Sequence, residues 1–135
     1  MTFAVFDTNV IVSGLLSPHG PPGRIVEWLR EGSIRAVLDD RIADEYEAVL
    51  SRPAFALPRH ELRIVLEAVR RHAQWVTPPA ALTANGLPDP DDAPFLECAR
   101  AAGVALVTGN VRHYPRAAAG AVPVLTPAEF VRGSP

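Results

Sequence analysis

Four residues of this chain have the types and positions to act together: Asp7, Glu45, Asp92 and Asn110. Asp7 ends a short apolar run, Phe3-Ala4-Val5-Phe6, and is followed by Thr8-Asn9-Val10. Such a run reads as a buried strand, and open parallel α/β sheets bind ligands outside the carboxyl ends of their strands. An acid at that place is either a metal ligand or a cap for the next helix. Glu45 falls nearest the inward stripe of its helix, whereas Asp44 points away and Glu47 lies to one side; its alternative is a solvated helix edge. Asp92 falls on the stripe of Phe95, Leu96 and Ala99, with Glu97 on the far face; its alternative is a simple N-cap, at a helix start that favours an anion. Asn110 follows an apolar run, Val104–Val107. Carboxylates brought together repel, and a cation relieves that repulsion. Oxygen donors without His or Cys suit Mg2+ or Mn2+ rather than zinc. Such ions can activate water and hold the leaving oxygen of a phosphodiester, so the residues point to metal-assisted phosphoryl chemistry.

The elements that must position these groups follow from periodicity and punctuation. Strands are expected at 3–6, 35–38, 75–77, 104–107 and 122–125, the last at an edge because Pro123 cannot donate to a ladder. Helices are expected over 8–16, from the turn-rich segment 17–23 to Gly32, over 41–51 behind Asp39 or Asp40 as cap, over 59–74, over 91–102 to Gly103, and from Pro127. The helix over 59–74 carries an apolar stripe of Leu62, Val65, Leu66, Val69 and Ala73. Residues 78–90 are Pro-rich and read as a loop. Alternating strands and helices imply a parallel sheet with helices on both faces, and right-handed crossovers put all strand carboxyl ends on one rim.

Composition bounds the rest. The 135 residues fit a single domain, 1–135, long enough to bury a core without staples. One cysteine, Cys98, excludes an internal disulfide and reads as a small buried helix residue. No apolar run reaches the length of a membrane span, and the start lacks the basic residues of a signal peptide, so a cytoplasmic location is expected. The net charge of −2 does not advertise nucleic acid. All 13 basic residues are Arg, but Ala and Pro are abundant too, which marks a compositional bias rather than a function.

The motifs that carry these residues are Phe6-Asp7-Thr8-Asn9-Val10, Asp44-Glu45-Tyr46-Glu47-Ala48-Val49-Leu50 with Ser51-Arg52-Pro53, Asp89-Pro90-Asp91-Asp92-Ala93-Pro94-Phe95-Leu96-Glu97-Cys98-Ala99, and Leu106-Val107-Thr108-Gly109-Asn110. In this order and spacing, over essentially the whole chain, they resemble a bacterial PIN-domain protein of the toxin kind found in toxin–antitoxin pairs. The resemblance implies a three-layer α/β/α sandwich with a five-stranded parallel sheet. It implies a divalent-metal ribonuclease that cuts single-stranded RNA, using Mg2+ or Mn2+. Asp7 would be the central metal ligand, with Glu45 and Asp92 as second and third acids. Thr8 or Asn9 would hydrogen-bond around Asp7, Thr108 would support the same centre, and Asp89 and Asp91 could reach metal through water. Many PIN domains carry Asp where this chain has Asn110, which leaves a carbonyl oxygen without a charge and implies a weaker second metal site. A homodimer and a separately encoded protein antitoxin are implied by resemblance alone.

Weaker signals complete the reading. Arg112 and His113 follow Asn110 on the expected rim, and they and Arg24 are candidate phosphate contacts, each with surface solvation as the plain alternative. Ile64 with Ala68 could form a small apolar patch for self-association. A phosphatase with Asp7 as nucleophile is disfavoured, because Asn9 stands where such enzymes place a second Asp. The remaining rival is a catalytically degenerate PIN fold that binds RNA or protein without cutting, which Asn110 keeps open.

Overall fold

The computed structural model describes residues 1–134; Pro135, the last residue of the expected domain, lies outside them. Five parallel strands form one sheet: β1 (Thr2–Phe6), β2 (Ile34–Leu38), β3 (Gln74–Trp75), β4 (Ala105–Val107) and β5 (Val124–Leu125), in the order β3-β2-β1-β4-β5. Seven helices accompany them among the described residues: α1 (Thr8–Leu16), α2 (Pro21–Glu31), α3 (Asp40–Leu50), α4 (Arg59–His72), α5 (Ala93–Ala102), α6 (Arg116–Ala119) and α7 (Pro127–Arg132). This is the three-layer α/β/α sandwich expected from the alternation of elements. No described helix is long and apolar enough to cross a membrane.

β1 is central because its run is apolar on both faces: Ala4, Val5 and Phe6 are all fully buried. It pairs with β2 from Thr2 opposite Ile34 and with β4 from Ala4 opposite Ala105. β5 is an edge strand, as Pro123 leads one to expect, and β3 is the other. The chain leaves β1 toward β2 and later crosses back, through α5, to reach β4 on the other side. Right-handed crossovers therefore send the loops after β1 and β4 to opposite faces and open a crevice between them. Asp7 follows β1 at that crevice, and Thr108 follows β4.

One helical layer is organised by α2, which packs on α1, α4 and α7. Phe6 meets Phe130 of α7 edge-to-face, with ring centroids 5.4 Å apart. The α1–α2 approach is unusually close, and glycine permits it. A Cβ on Gly14 would sit 2.4 Å from the Pro22 carbonyl oxygen and from Val26 Cγ2. The turn-rich segment is shorter than expected, since α2 already begins at Pro21, with proline in the first turn where no N–H is needed. Gly32 ends α2 in the left-handed conformation.

Other details also depart from the sequence reading, beginning with element bounds: β3 is Gln74–Trp75 rather than 75–77, and α4 ends at His72 rather than 74. The 91–102 helix starts later, because Pro90–Asp92 form a 3-10 turn before α5. Ala68 is only 3% exposed and belongs to the buried face of α4, so Ile64, 40% exposed, stands without it. Glu97 lies on no far face: it is 8% exposed, because the Pro-rich segment folds over α5 and buries a second stripe of that helix. There Glu97 accepts the Ala84 backbone N–H at 2.9 Å and pairs with Arg41 at 2.8 Å.

Gly14→Ala should destabilise the protein by about 1–3 kcal/mol, the usual cost of over-packing, since the Pro22 backbone as well as the Val26 methyl would have to move. Urea unfolding measures it, and an unchanged midpoint would mean that the α1–α2 approach can relax.

Candidate active site

The described residues hold two groups of buried or half-buried acids, and their partners separate them. In the first, Asp39 and Glu97 share Arg41. Asp39 Oδ2 accepts from Arg41 Nε at 2.8 Å, Asp39 Oδ1 caps α3 through the Ile42 N–H at 3.1 Å, and Glu97 takes the other side of the guanidinium. Every acid oxygen in this group has a donor, and a cation sits between the carboxylates. Such an arrangement is complete as it stands and serves the fold.

The second group is Asp7, Glu45 and Asp92, brought to the sheet rim by three elements. Asp7 is 6% exposed. It stands at the N-terminus of α1, yet its side chain caps nothing. Instead Asp7 Oδ2 accepts two hydroxyl hydrogen bonds, from Thr108 Oγ1 at 3.0 Å and from Tyr114 Oη at 2.9 Å. Glu45, half-buried on α3, accepts at Oε2 from the Thr8 hydroxyl. α3 can deliver Glu45 here because it packs on α1 and α4 as well as on α5. Its orientation is further fixed by the neighbouring Tyr46, whose hydroxyl donates to the Phe6 carbonyl just before Asp7. Asp92 precedes α5 and also caps nothing; its Oδ2 meets His113 Nδ1 at 3.1 Å. The capping work at that turn falls to Asp89, which accepts from the Asp91 N–H at 2.9 Å. The helix-cap alternative thus fails for both Asp7 and Asp92.

Each of these three acids has one oxygen held by an uncharged donor or a histidine ring and a second oxygen with no hydrogen bond to the described residues. No Arg reaches any of them. The electrostatic consequence shows at Asp92 and Glu45. Burial, then the charges of Asp7 and Asp89, push the Asp92 carboxyl up to about 6, against which His113 pulls only partly. Burial raises Glu45 too, with Asp7, Asp91 and Asp89 adding to the effect and the Thr8 hydrogen bond opposing it. These are groups short of positive charge. Hard divalent cations take such oxygen donors. The three carboxylates surround the crevice without converging on one point: no set of three His, Cys, Asp or Glu among the described residues stands close enough to hold an ion as it is.

The supporting residues differ from the sequence expectation. Neither Thr8 nor Asn9 bonds to Asp7. Thr8 lies one residue into α1 and turns to Glu45, while Asn9 Oδ1 accepts the Gly109 N–H at 3.0 Å and so ties α1 to the loop after β4. Thr108 does reach Asp7, and its hydroxyl also accepts the Asn110 N–H at 3.0 Å. The Asn110 side chain makes no hydrogen bond among the described residues. Tyr114 was not foreseen. Its only advance signal is that a buried tyrosine hydroxyl needs a partner; its distance from Asp7, 107 positions along the chain, hides which. His113 faces Asp92 rather than solvent alone. Arg112 is exposed near the crevice, in the turn that follows Asn110. Arg24 instead lies over Trp28 on α2, beside a cavity of about 490 Å³ lined by Gly14, His19, Glu27 and Ile64.

This fold is that of a nuclease-type domain. The chain belongs to the PIN-domain family, whose pattern matches residues 4–112. PIN domains are generally nucleases and typically use divalent metal ions. No curated protein and no solved structure matches the chain.

The raised carboxyls set a pH dependence in the metal-free protein. Asp92 holds its proton more tightly folded than unfolded, with about 6 against an ordinary 3.8. Its stabilising contribution is therefore full below the unfolded value and lost as pH rises through about 6. In EDTA, wild type should lose stability between about pH 4 and 6 relative to Asp92→Asn, which lacks the titrating group, and level off above that. Parallel stability profiles for the two proteins would contradict that assignment.

Proposed function

We propose that this protein is a divalent-metal-dependent endoribonuclease that hydrolyses single-stranded RNA with Mg2+ or Mn2+. The observation that carries the reading is the contrast between the two acid groups. Asp39 and Glu97 share the Arg41 guanidinium, whereas Asp7, Glu45 and Asp92 each keep a free oxygen and have no Arg among them, only the His113 ring beside Asp92. A bare acidic crevice repels a phosphodiester, so it becomes a phosphodiester site only with metal.

In this reading Asp7, Glu45 and Asp92 would hold the ion, with the Asn110 carbonyl oxygen as an uncharged fourth donor and Asp89 and Asp91 as outer carboxylates. The bound cation supplies a water of lowered pKa and charge stabilisation at the phosphorus. Asp7 directs one oxygen into the crevice, because Thr108 and Tyr114 occupy the other. Glu45 is fixed in the same one-sided way by Thr8, and Asp92 by His113. Arg112, exposed beside the crevice, fits a phosphate of the strand on either side of the cleaved bond, a positioning contact without base preference.

The biological setting we propose is the toxin half of a toxin–antitoxin pair in the cytoplasm, working as a homodimer; the family is its support. A binding-only PIN domain is the second reading, favoured by the missing charge at Asn110. Cleavage of end-labelled single-stranded RNA in Mn2+ and in Mg2+ separates the two. The expected result is cutting abolished by EDTA and reduced at least about 100-fold in Asp7→Asn, the scale on which metal-supplied activation is lost. RNA binding without cutting would favour the second reading, and equal cutting by the variant would sink the assignment of Asp7. Asn110→Asp should tighten Mn2+ binding in calorimetry; unchanged affinity would remove Asn110 from the ligand set.

A further inference from the structure

Asp7 and Asp92 come from distant parts of the chain, just after β1 and in the turn before α5, and share no hydrogen bond. Both carry negative charge in a crevice that offers them no common cation. Something must keep two such carboxylates from swinging apart. Among the described residues a single pair of consecutive side chains reaches both. Tyr114 Oη donates to Asp7 Oδ2 at 2.9 Å, and His113 Nδ1 lies 3.1 Å from Asp92 Oδ2. A carboxylate oxygen accepts, so Nδ1 carries the hydrogen. The backbone beneath them is itself braced: the 3-10 turn Val111–His113 is closed by His113 N–H to the Asn110 carbonyl and Tyr114 N–H to the Val111 carbonyl, both at 3.1 Å. The Asn110 N–H is tied in turn to Thr108, which also holds Asp7.

We propose that His113 and Tyr114 form a clamp that holds Asp7 and Asp92 on their two sides of the crevice and orients both toward a shared cation, which must still draw them together; this rests on the metal reading given above. Both are positioning residues: each occupies one oxygen of its acid and aims the other. Tyr114 is 3% exposed, which fixes its hydroxyl, and the turn passes that rigidity to the neighbouring ring. The acid-turned face of His113 is what a phosphate contact alone would not need.

Calorimetric Mn2+ titration of the metal-free protein tests this, with thermal unfolding in EDTA as the check on folding. Tyr114→Phe keeps the ring and removes the hydroxyl. His113→Ala removes the donor, and His113→Asn restores an amide N–H at the position of Nδ1. Loss of groups that orient metal ligands typically weakens binding by about 10- to 100-fold. Tyr114→Phe and His113→Ala should each lose Mn2+ affinity at the lower end of that range, with His113→Asn close to wild type. The double variant should lose less than the product of the single losses, because a clamp released at one end no longer constrains the other. Unchanged affinity in both single variants overturns the clamp, as does His113→Asn binding no better than His113→Ala. Fully multiplicative losses overturn it too, leaving two independent supports. Should Tyr114→Phe fail to fold, the two variants at the half-exposed His113 still decide. Wild type that takes up no Mn2+ at all is a different result, one that overturns the metal reading and the clamp with it.

Discussion

A buried carboxylate with no positive partner is expensive, and Asp7 is one. Its cost is met by two hydroxyls on a single oxygen, one from the end of β4 and one from the turn beyond it. Those two hydrogen bonds span from β1 to β4 and the turn beyond it, at the point where the strand order reverses, so the site and the topology are held by the same contacts. Around that oxygen the fold arranges the rest: Asn9 ties α1 to Gly109, Tyr46 ties α3 to the Phe6 carbonyl, and Thr8 hands Glu45 its place. Charge–charge repulsion among the acids is left standing. Hydrogen bonds to neutral donors orient a carboxylate without cancelling its charge, so orientation and electrostatic demand coexist in one place.

Arg41 shows what the same chain does when an acid pair is structural. Its guanidinium spans Asp39 and Glu97, joining the start of α3 to α5 beneath the Pro-rich segment. Arginine suits that task because its planar fork meets two carboxylates at once. The second acid group has no such residue, although arginine is the only basic residue type besides histidine in the sequence. The placement of the thirteen arginines therefore carries more information than their number.

How much of this was legible in the residues depended on range. Strands β1 and β4 and helices α1 and α4 follow from apolar runs and local period, and β5 took its edge place from one proline. That Asp7, Glu45 and Asp92 lie near one another was legible because each was read at an element end or on a stripe, where local geometry fixes direction. Glu97 was misread because a helix covered on two sides has two buried stripes, and periodicity counts only the stronger. Ala68 was misread because a small side chain says little about which face it occupies. Tyr114 and the true partners of Thr8 and Asn9 depend on contacts between segments far apart in the chain, and nothing local encodes which hydroxyl meets which carboxylate.

The aromatic residues are divided between two regions in a way that gives the molecule two separate optical reporters. The sequence has two tryptophans and two tyrosines. Trp28 lies under Arg24 on α2 and Trp75 under Arg70 at the β3 edge, so indole emission follows helix packing and the sheet margin. Both tyrosines border the crevice instead, Tyr114 through its hydroxyl on Asp7 and Tyr46 through the Phe6 carbonyl one residue away. The phenol bands of the near-ultraviolet spectrum thus report the state of the acids, while the indoles watch the scaffold.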